Sequence, residues 1–151
     1  MAETLGSLID KIVIKKIRIA HLDKAKTSPK TKKARAIVAE QIADLSSEID
    51  NFLKKAVKGK VVLREQKVKL YNNPPSTLKI DKIAHLGPLV DLLSQINILL
   101  WELEDQVRIK GIPYKRVAHL KKQIDLGNKN RNDAIDRIDE LLEQRIKRCG
   151  K

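Results

Sequence analysis

The chain repeats part of itself at an offset of 81 residues. The segment LGSLIDKIVIKKIRIAHLDK, which begins at Leu5, aligns without a gap with LGPLVDLLSQINILLWELED, which begins at Leu86. Two helices that share only an apolar period would match at leucine and isoleucine, but they would not also match at Gly6 and Gly87. The alignment therefore favours a duplicated unit over a coincidence of two amphipathic helices, and a duplication predicts two similar halves.

Each half is expected to hold two helices joined by a short break. The apolar spacing predicts four helices, over residues 4–24, 30–58, 88–110 and 113–148. Pro29 breaks the first pair, Gly59 suits the end of the second helix, and Pro113 lies near the start of the last one. Gly127 falls inside the last helix, where it predicts a kink or a break.

A linker of different composition, residues 60–80, separates the two halves. Short apolar runs at 61–63 and at Val68 and Leu70, followed by turn residues at 72–75, predict an extended arm or a small β-hairpin. Two strands alone are marginally stable, so these would pack against the helices or pair with a strand of another chain. This linker is the main reason to expect a homo-oligomer.

The third helix determines the expected architecture, because apolar residues cover nearly its whole circumference. A helix of this kind is buried on most sides, as in an antiparallel four-helix bundle of two hairpins related by an approximate two-fold. The predicted fold is mainly α, in a single domain of residues 1–151 with repeats at 4–59 and 81–148. Asp10 and Asp91, which match in the repeat, should then occupy equivalent places.

Cysteine content and the apolar runs predict a cytoplasmic protein. Cys149 is the single cysteine, so it can form no disulfide within the chain and no cysteine zinc site. The first residues place an acid before the bases and lack the clean apolar stretch of a signal peptide. The longest uncharged stretches, 83–90 and 92–101, are too short to cross a bilayer, so no transmembrane segment is expected.

Polar side chains on the last two helices form the candidate site. Steps of four place Asn97, Trp101 and Asp105 on one helix face. The candidate ligand-binding residues are Asp91, Asn97, Trp101, Glu102, Asp105, Arg131, Asn132, Asp133 and Asp136. They could bind a polar ligand or ion, but the favoured interpretation is that Arg131 pairs with Asp105 or Asp91 and ties the helices together.

The motifs of several enzyme classes are missing from the sequence. The residue three before each histidine is basic, which excludes the Glu-x-x-His pairs of di-metal bundles. There is no glycine-rich phosphate loop, no dinucleotide fingerprint and no nucleophile beside a base. The sequence therefore predicts no catalytic residue, no metal ligand and no cofactor.

Positive charge is the second candidate feature. The chain has 32 Lys and Arg against 19 Asp and Glu, a net charge of +13, and the excess lies in residues 1–36 and 54–69. The candidate polyanion-binding residues are Lys24, Lys26, Lys30, Lys32, Lys33, Arg35, Lys54, Lys55, Lys58 and Lys60. Nucleic acid or another polyanion could bind them, although the two groups lie about 40 Å apart in the first hairpin. The alternative is a solvated, lysine-rich surface.

The second half resembles an uncharacterised bacterial and phage helical family, a domain of unknown function. The resemblance is carried by LGPLVDLLSQINILLWELED and KKQIDLGNKNRNDAIDRIDELL, over about residues 86–142. It falls on Asp91, Asn97, Trp101, Leu103, Glu104, Asp105, Arg131, Asn132, Asp133, Ile135, Ile138 and Asp139. The chain departs from the family pattern at Leu92, where the family has Lys, and at Glu102, where it has His. The resemblance implies a helical fold and no particular reaction.

Together these patterns predict a non-enzymatic, basic helical protein that binds or assembles with a partner, which could be a protein or a second copy of the chain. Two alternatives remain open: a nucleic-acid or polyanion binder that acts through the lysine-rich segments, and a small-ligand receptor or enzyme that uses the polar cluster.

Overall fold

Helices make up most of residues 3–65 and 78–150, which are the residues that the computed structural model describes. The four long helices are α1 (Leu5–Lys24), α2 (Pro29–Val57), α3 (Leu86–Val107) and α4 (Tyr114–Cys149). A short 3-10 helix, η1 (Ile80–Lys82), precedes α3. Each helix predicted from the apolar spacing is confirmed, and the mainly α, four-helix architecture with it.

The helices of the first hairpin begin with reciprocal side-chain caps. Thr4 Oγ1 accepts a hydrogen bond from the Ser7 amide at 3.2 Å, and Ser7 Oγ accepts one from the Thr4 amide at 3.0 Å. Ser28 and Thr31 form the same pair of bonds at the start of α2, where Pro29 is the first helical residue. These caps satisfy backbone amides that the helix itself leaves without a partner, so they fix where each helix begins.

Two hairpins, α1–α2 and α3–α4, pack together through α1, which contacts both α3 and α4. Leu5 and Leu8 of α1 lie in one buried cluster with Leu89 and Leu93 of α3, so the N-terminal halves of these helices are side by side. Towards the other end, the ring of His21 lies 4.9 Å from that of Trp101. Helices α1 and α3 therefore run in the same direction, and both hairpin turns lie at the same end of the molecule.

The larger part of the hydrophobic core lies at the opposite end, which we call the core end. There the first half of α1, the last half of α2, the first half of α3, the last half of α4 and η1 meet. The buried cluster consists of Leu5, Leu8, Phe52, Ala56, Ile80, Leu89, Leu93, Ala134, Ile138 and Leu141. Burial of these side chains is the main stabilising contribution to the fold.

Helix α4 is continuous through Gly127, so the predicted break there is wrong. A Cβ atom at this position would lie 2.7 Å from Cδ2 of Leu100, because α3 and α4 approach each other closely at this level. The glycine thus serves helix packing and does not end a helix. Turns use two other glycines, Gly59 and Gly111, at φ values of 65° and 82° that an L side chain rarely adopts.

The two halves differ in their packing. Asp10 is 3% exposed, whereas Asp91 is exposed and accepts a hydrogen bond from Nε2 of the Gln95 side chain at 2.8 Å. Gly6 is buried, whereas a Cβ atom at Gly87 would meet nothing within 4 Å. The two aspartates therefore differ in their surroundings, and both their equivalence in superposed halves and the duplication itself stay predictions.

Helix α3 is less buried than its composition predicts, because Ile98 and Leu99 are 45% and 50% exposed. By length and composition α3 is long and apolar enough to cross a membrane, and a third of its most apolar window is buried. The core helix of a soluble protein passes the same test.

The β-hairpin prediction for the linker lies largely outside the described residues. Within residues 61–63 the backbone forms bends and no strand. Val68, Leu70 and the turn at 72–75 lie outside the described ranges.

Candidate functional site

A buried carboxylate joins three helices at the centre of the site. Asp10 of α1 accepts hydrogen bonds from Nε and Nη2 of Arg131 on α4, at 2.9 and 2.6 Å. It also accepts one from Nδ2 of Asn97 on α3, at 2.9 Å. Paired bonds between a guanidinium and a carboxylate are among the stronger ones in proteins, and here the hydrogen bonding to Asp10 raises the pKa of Arg131.

The predicted partner of Arg131 is therefore wrong, although its predicted role in tying helices together is supported by its contacts. Asp105 lies 3.7 Å from the guanidinium of Arg108, one helical turn away, and Asp91 is bound by Gln95. The sequence did contain a signal for Asp10, since it matches Asp91 in the repeat. No spacing argument, however, could tell which carboxylate would lie beside Arg131, because α1 and α4 are far apart in sequence.

A second buried carboxylate, Asp139 of α4, holds the start of α1. Its Oδ1 accepts a hydrogen bond from the Gly6 amide at 2.7 Å, in a place where the two helices are in close contact. A Cβ atom at Gly6 would overlap the carbonyl oxygen of Ile135. Sequence reasoning missed this contact, and the only signal for Asp139 was its place in the family resemblance.

An open cleft of about 280 Å³ lies above the Asp10 network, between α1, α3 and α4. It brings together four predicted site residues, Asn97, Trp101, Asp105 and Arg131. The full lining is Ile14, Ile17, Asn97, Leu100, Trp101, Glu104, Asp105, Arg108, Asn128 and Arg131. The cleft therefore combines an aliphatic wall, one indole ring and charged groups of both signs.

Some polar atoms in the cleft keep free hydrogen-bonding capacity. Arg131 uses Nε and Nη2 for Asp10, and within the described residues its Nη1 donates no hydrogen bond. Asn97 uses its amide nitrogen for Asp10 and for the Leu93 carbonyl, while its own carbonyl oxygen accepts no bond in that same part of the chain. Trp101 is held from one side by His21, whose Nδ1 donates to the Ile17 carbonyl oxygen at 2.9 Å.

Other predicted site residues lie elsewhere. Asp91, Glu102 and Asn132 are exposed and do not line the cleft. Asp133 and Asp136 line a separate polar pocket of about 300 Å³, together with Arg137. There Arg137 Nε donates a hydrogen bond to the Ile83 carbonyl oxygen at 3.0 Å, and this bond holds the segment before α3 against α4. In the described ranges, 3–65 and 78–150, no group of three or more side chains could hold a metal ion.

The predicted polyanion-binding residues are all exposed, in two separate groups. Residues from Lys24 to Arg35 surround the α1–α2 turn. Lys54, Lys55, Lys58 and Lys60 lie at the core end, one length of α2 away, about 40 Å at the usual rise per residue. The structure thus keeps the two groups apart, as the hairpin prediction expected.

Comparison with known proteins found one family model that matches part of the chain. Residues 88–150 match the model of a family described as Protein of unknown function (DUF4254). The matched residues form nearly all of α3 and α4, including the cleft residues from these two helices. The match fits an uncharacterised helical domain. No curated protein and no solved structure matches the chain.

Proposed function

We propose that this chain is a non-enzymatic binding protein and that the cleft between α1, α3 and α4 holds a small polar molecule. The observation that carries the proposal is the hydrogen bonding of the Arg131 side chain. One edge of its guanidinium is fixed by the buried Asp10, and Nη1, in the same cleft as Trp101, has no acceptor among residues 3–65 and 78–150, with the side chain 30% exposed. An arginine held in this way is already oriented for a ligand.

The cleft residues define the chemistry of the ligand. Arg131 Nη1 would donate to an oxygen atom of the ligand, and the carbonyl oxygen of Asn97 would accept from it. Glu104 and Asp105, at 47% and 59% side-chain exposure, offer further acceptors at the mouth. The indole of Trp101 offers an apolar face. The cleft suits a molecule of amino-acid or monosaccharide size that has an acceptor group at one end and donor groups at the other.

The same contacts support a binding role over a catalytic one. Both oxygens of Asp10 are engaged, Oδ1 by Arg131 and Asn97, and Oδ2 by Arg131. Asp10 is 3% exposed and most of its acceptor capacity is taken up within the protein, so it orients its partners and is poorly placed to act as a general base. The remaining carboxylates of the cleft lie at its exposed mouth.

Trp101 provides a direct assay, because it is the only tryptophan in the sequence. We would titrate the purified protein with a panel of free amino acids and monosaccharides and follow the tryptophan fluorescence. At least one compound should give a saturable change. Asp105→Asn should weaken its binding about tenfold or more, the value of a charge-assisted hydrogen bond.

The matched control is Glu102→Gln, which removes one charge from an exposed position of α3 that does not line the cleft. It should bind like the unmodified chain. The proposal fails if no compound in the panel changes the fluorescence, or if the two variants lose affinity equally. Arg131→Ala is unsuitable for this assay because it would leave Asp10 buried without its cation.

Assembly with a second copy of this chain is a second candidate, and an uncovered apolar groove favours it. The groove, of about 420 Å³ at the core end, is lined by apolar residues of α1, α2 and α4, by Ala84 and Leu86 around the start of α3, and by Arg145. The exposed stripe of α3, which contains Ile98 and Leu99 between Asp91 and Glu102, has the complementary acidic and apolar character. We propose that this stripe of one copy packs into the groove of the other.

Light scattering tests this assembly. The unmodified chain should have the mass of a dimer, and Ile98→Arg should have the mass of a monomer. Ile37→Arg makes the same change at an exposed isoleucine of α2 that lines no part of the groove, so it should remain dimeric. A monomeric unmodified chain would exclude the proposed assembly.

A further inference from the structure

The end of the molecule that holds both hairpin turns is strongly basic. Because α1 and α3 run in the same direction, residues 24–35 and residues 108–122 lie at this end, which we call the turn end. Each of the two segments contains six basic residues and no acidic one. The basic residues are Lys24, Lys26, Lys30, Lys32, Lys33, Arg35, Arg108, Lys110, Lys115, Arg116, Lys121 and Lys122.

Little of this charge is neutralised by the protein. Arg35 pairs with Asp23 at 2.8 Å, and Arg108 lies 3.7 and 3.8 Å from two carboxylates of α3. The nine lysines of the turn end are exposed and make no ion pair with any residue that the structure describes. A concentration of like charge of this size attracts an extended anionic partner.

Exposed apolar side chains lie among these charges. In the α3–α4 turn, Ile109 is 58% exposed and Tyr114 is 86% exposed. Ile109 lies between Arg108 and Lys110, Tyr114 is followed by Lys115 and Arg116, and the positive φ of Gly111 shapes the turn between them. Tyrosine prefers the boundary between water and lipid, where its ring is in apolar surroundings and its hydroxyl remains hydrated.

We propose that the turn end docks on an anionic lipid bilayer. The lysines would lie against the phosphate groups, and Ile109 and Tyr114 would enter the headgroup region. A bilayer fits better than duplex nucleic acid because the phosphates of a duplex give an exposed isoleucine no apolar environment. This docking is independent of the ligand proposed for the cleft.

Vesicle co-sedimentation of the full chain tests the proposal. We expect the chain to sediment with vesicles of phosphatidylcholine containing one-third phosphatidylglycerol, and to remain in solution with vesicles of phosphatidylcholine alone. Raising the salt concentration should reduce the binding. The double variant Lys110→Glu with Lys115→Glu should lower the partition coefficient by about tenfold or more, because each basic residue near the surface adds to the attraction between the chain and the anionic lipids.

Two further variants separate charge from apolar contact. Lys54→Glu with Lys58→Glu makes the same change of charge at the core end, and it should sediment like the unmodified chain. Ile109→Ser with Tyr114→Ser keeps the charge and should bind the anionic vesicles several-fold more weakly. All of these positions are exposed, so circular dichroism should show the same helix content in every variant.

Several outcomes would overturn the proposal. The first is no sedimentation with anionic vesicles. The second is an equal loss of binding in the variants of the two ends, which would mean that net charge alone is responsible. The third is binding to random-sequence duplex DNA that needs the turn-end lysines but not Ile109 and Tyr114, together with no vesicle binding. That result would identify the turn end as a nucleic-acid site.

Discussion

Replacing Gly6 with alanine adds one methyl group at the place where α1 meets α4. The new Cβ atom would overlap the backbone carbonyl oxygen of Ile135 and lie 3.1 Å from Oδ1 of Asp139. That same Oδ1 accepts the buried hydrogen bond from the Gly6 amide. A backbone oxygen cannot rotate away, so the two helices must separate and the hydrogen bond must lengthen.

The expected loss of stability follows from these contacts. Overpacking at a well-packed site costs about 1–3 kcal/mol. A buried acceptor whose hydrogen bond is weakened costs about 1–3 kcal/mol. The helix preference of alanine over glycine offsets at most about 1 kcal/mol. We therefore expect Gly6→Ala to lower the free energy of unfolding by about 2–4 kcal/mol, a large part of the about 5–15 kcal/mol typical of a domain.

Urea unfolding followed by circular dichroism measures the effect, and Gly87→Ala is the matched control. Gly87 is the second residue of α3 just as Gly6 is the second residue of α1, but it is in open space. The control should leave stability unchanged or raise it by up to about 1 kcal/mol. If Gly6→Ala costs less than about 1 kcal/mol, or if the two variants behave alike, the close contact of α1 with α4 is refuted.

Three other measurements test separate parts of the structure. Arg131→Ala should lower the free energy of unfolding by about 3–5 kcal/mol, because it leaves a buried carboxylate without its cation, and Arg131→Met with Asp10→Leu should recover much of this loss. Gly127→Ala should cost about 1 kcal/mol or less in urea unfolding, because its methyl group would meet only the movable end of one leucine. Hydrogen bonds from Lys11 and Ser7 lower the pKa of Glu3, so its stabilising contribution is present above its ordinary pKa and lost as the pH falls through the lowered one. NMR titration should show the pKa of Glu3 returning towards its ordinary value in Lys11→Met.

Local patterns in the sequence determined which parts of the fold could be predicted. Apolar spacing, proline and glycine act within a few positions of each other, so the helices and their approximate ends could be predicted. The close approach at Gly127 depends on how Leu100 of the preceding helix packs against it, which local reasoning cannot indicate, so the glycine was interpreted as a break. The exposure of Ile98 and Leu99 has the same origin, since the composition of α3 does not reveal which face its neighbours leave open.

The candidate site was predictable on one helix and not across helices. Steps of four placed Asn97, Trp101 and Asp105 on one face, and all three line the cleft. The partner of Arg131 came from α1, which the local pattern could not indicate. Of the basic turn end, the sequence indicated only the group from Lys24 to Arg35. Its combination with residues 108–122 was missed because it exists only since α1 and α3 run in the same direction.

The buried ion pair has a consequence for how the chain can be divided. The part that matches the family model begins at residue 88, but its Arg131 pairs with a carboxylate of α1. We therefore expect an isolated α3–α4 hairpin to expose both an unpaired guanidinium and half of the core. The two hairpins would behave as complementary fragments: the first supplies the buried carboxylate and the second supplies the guanidinium that neutralises it.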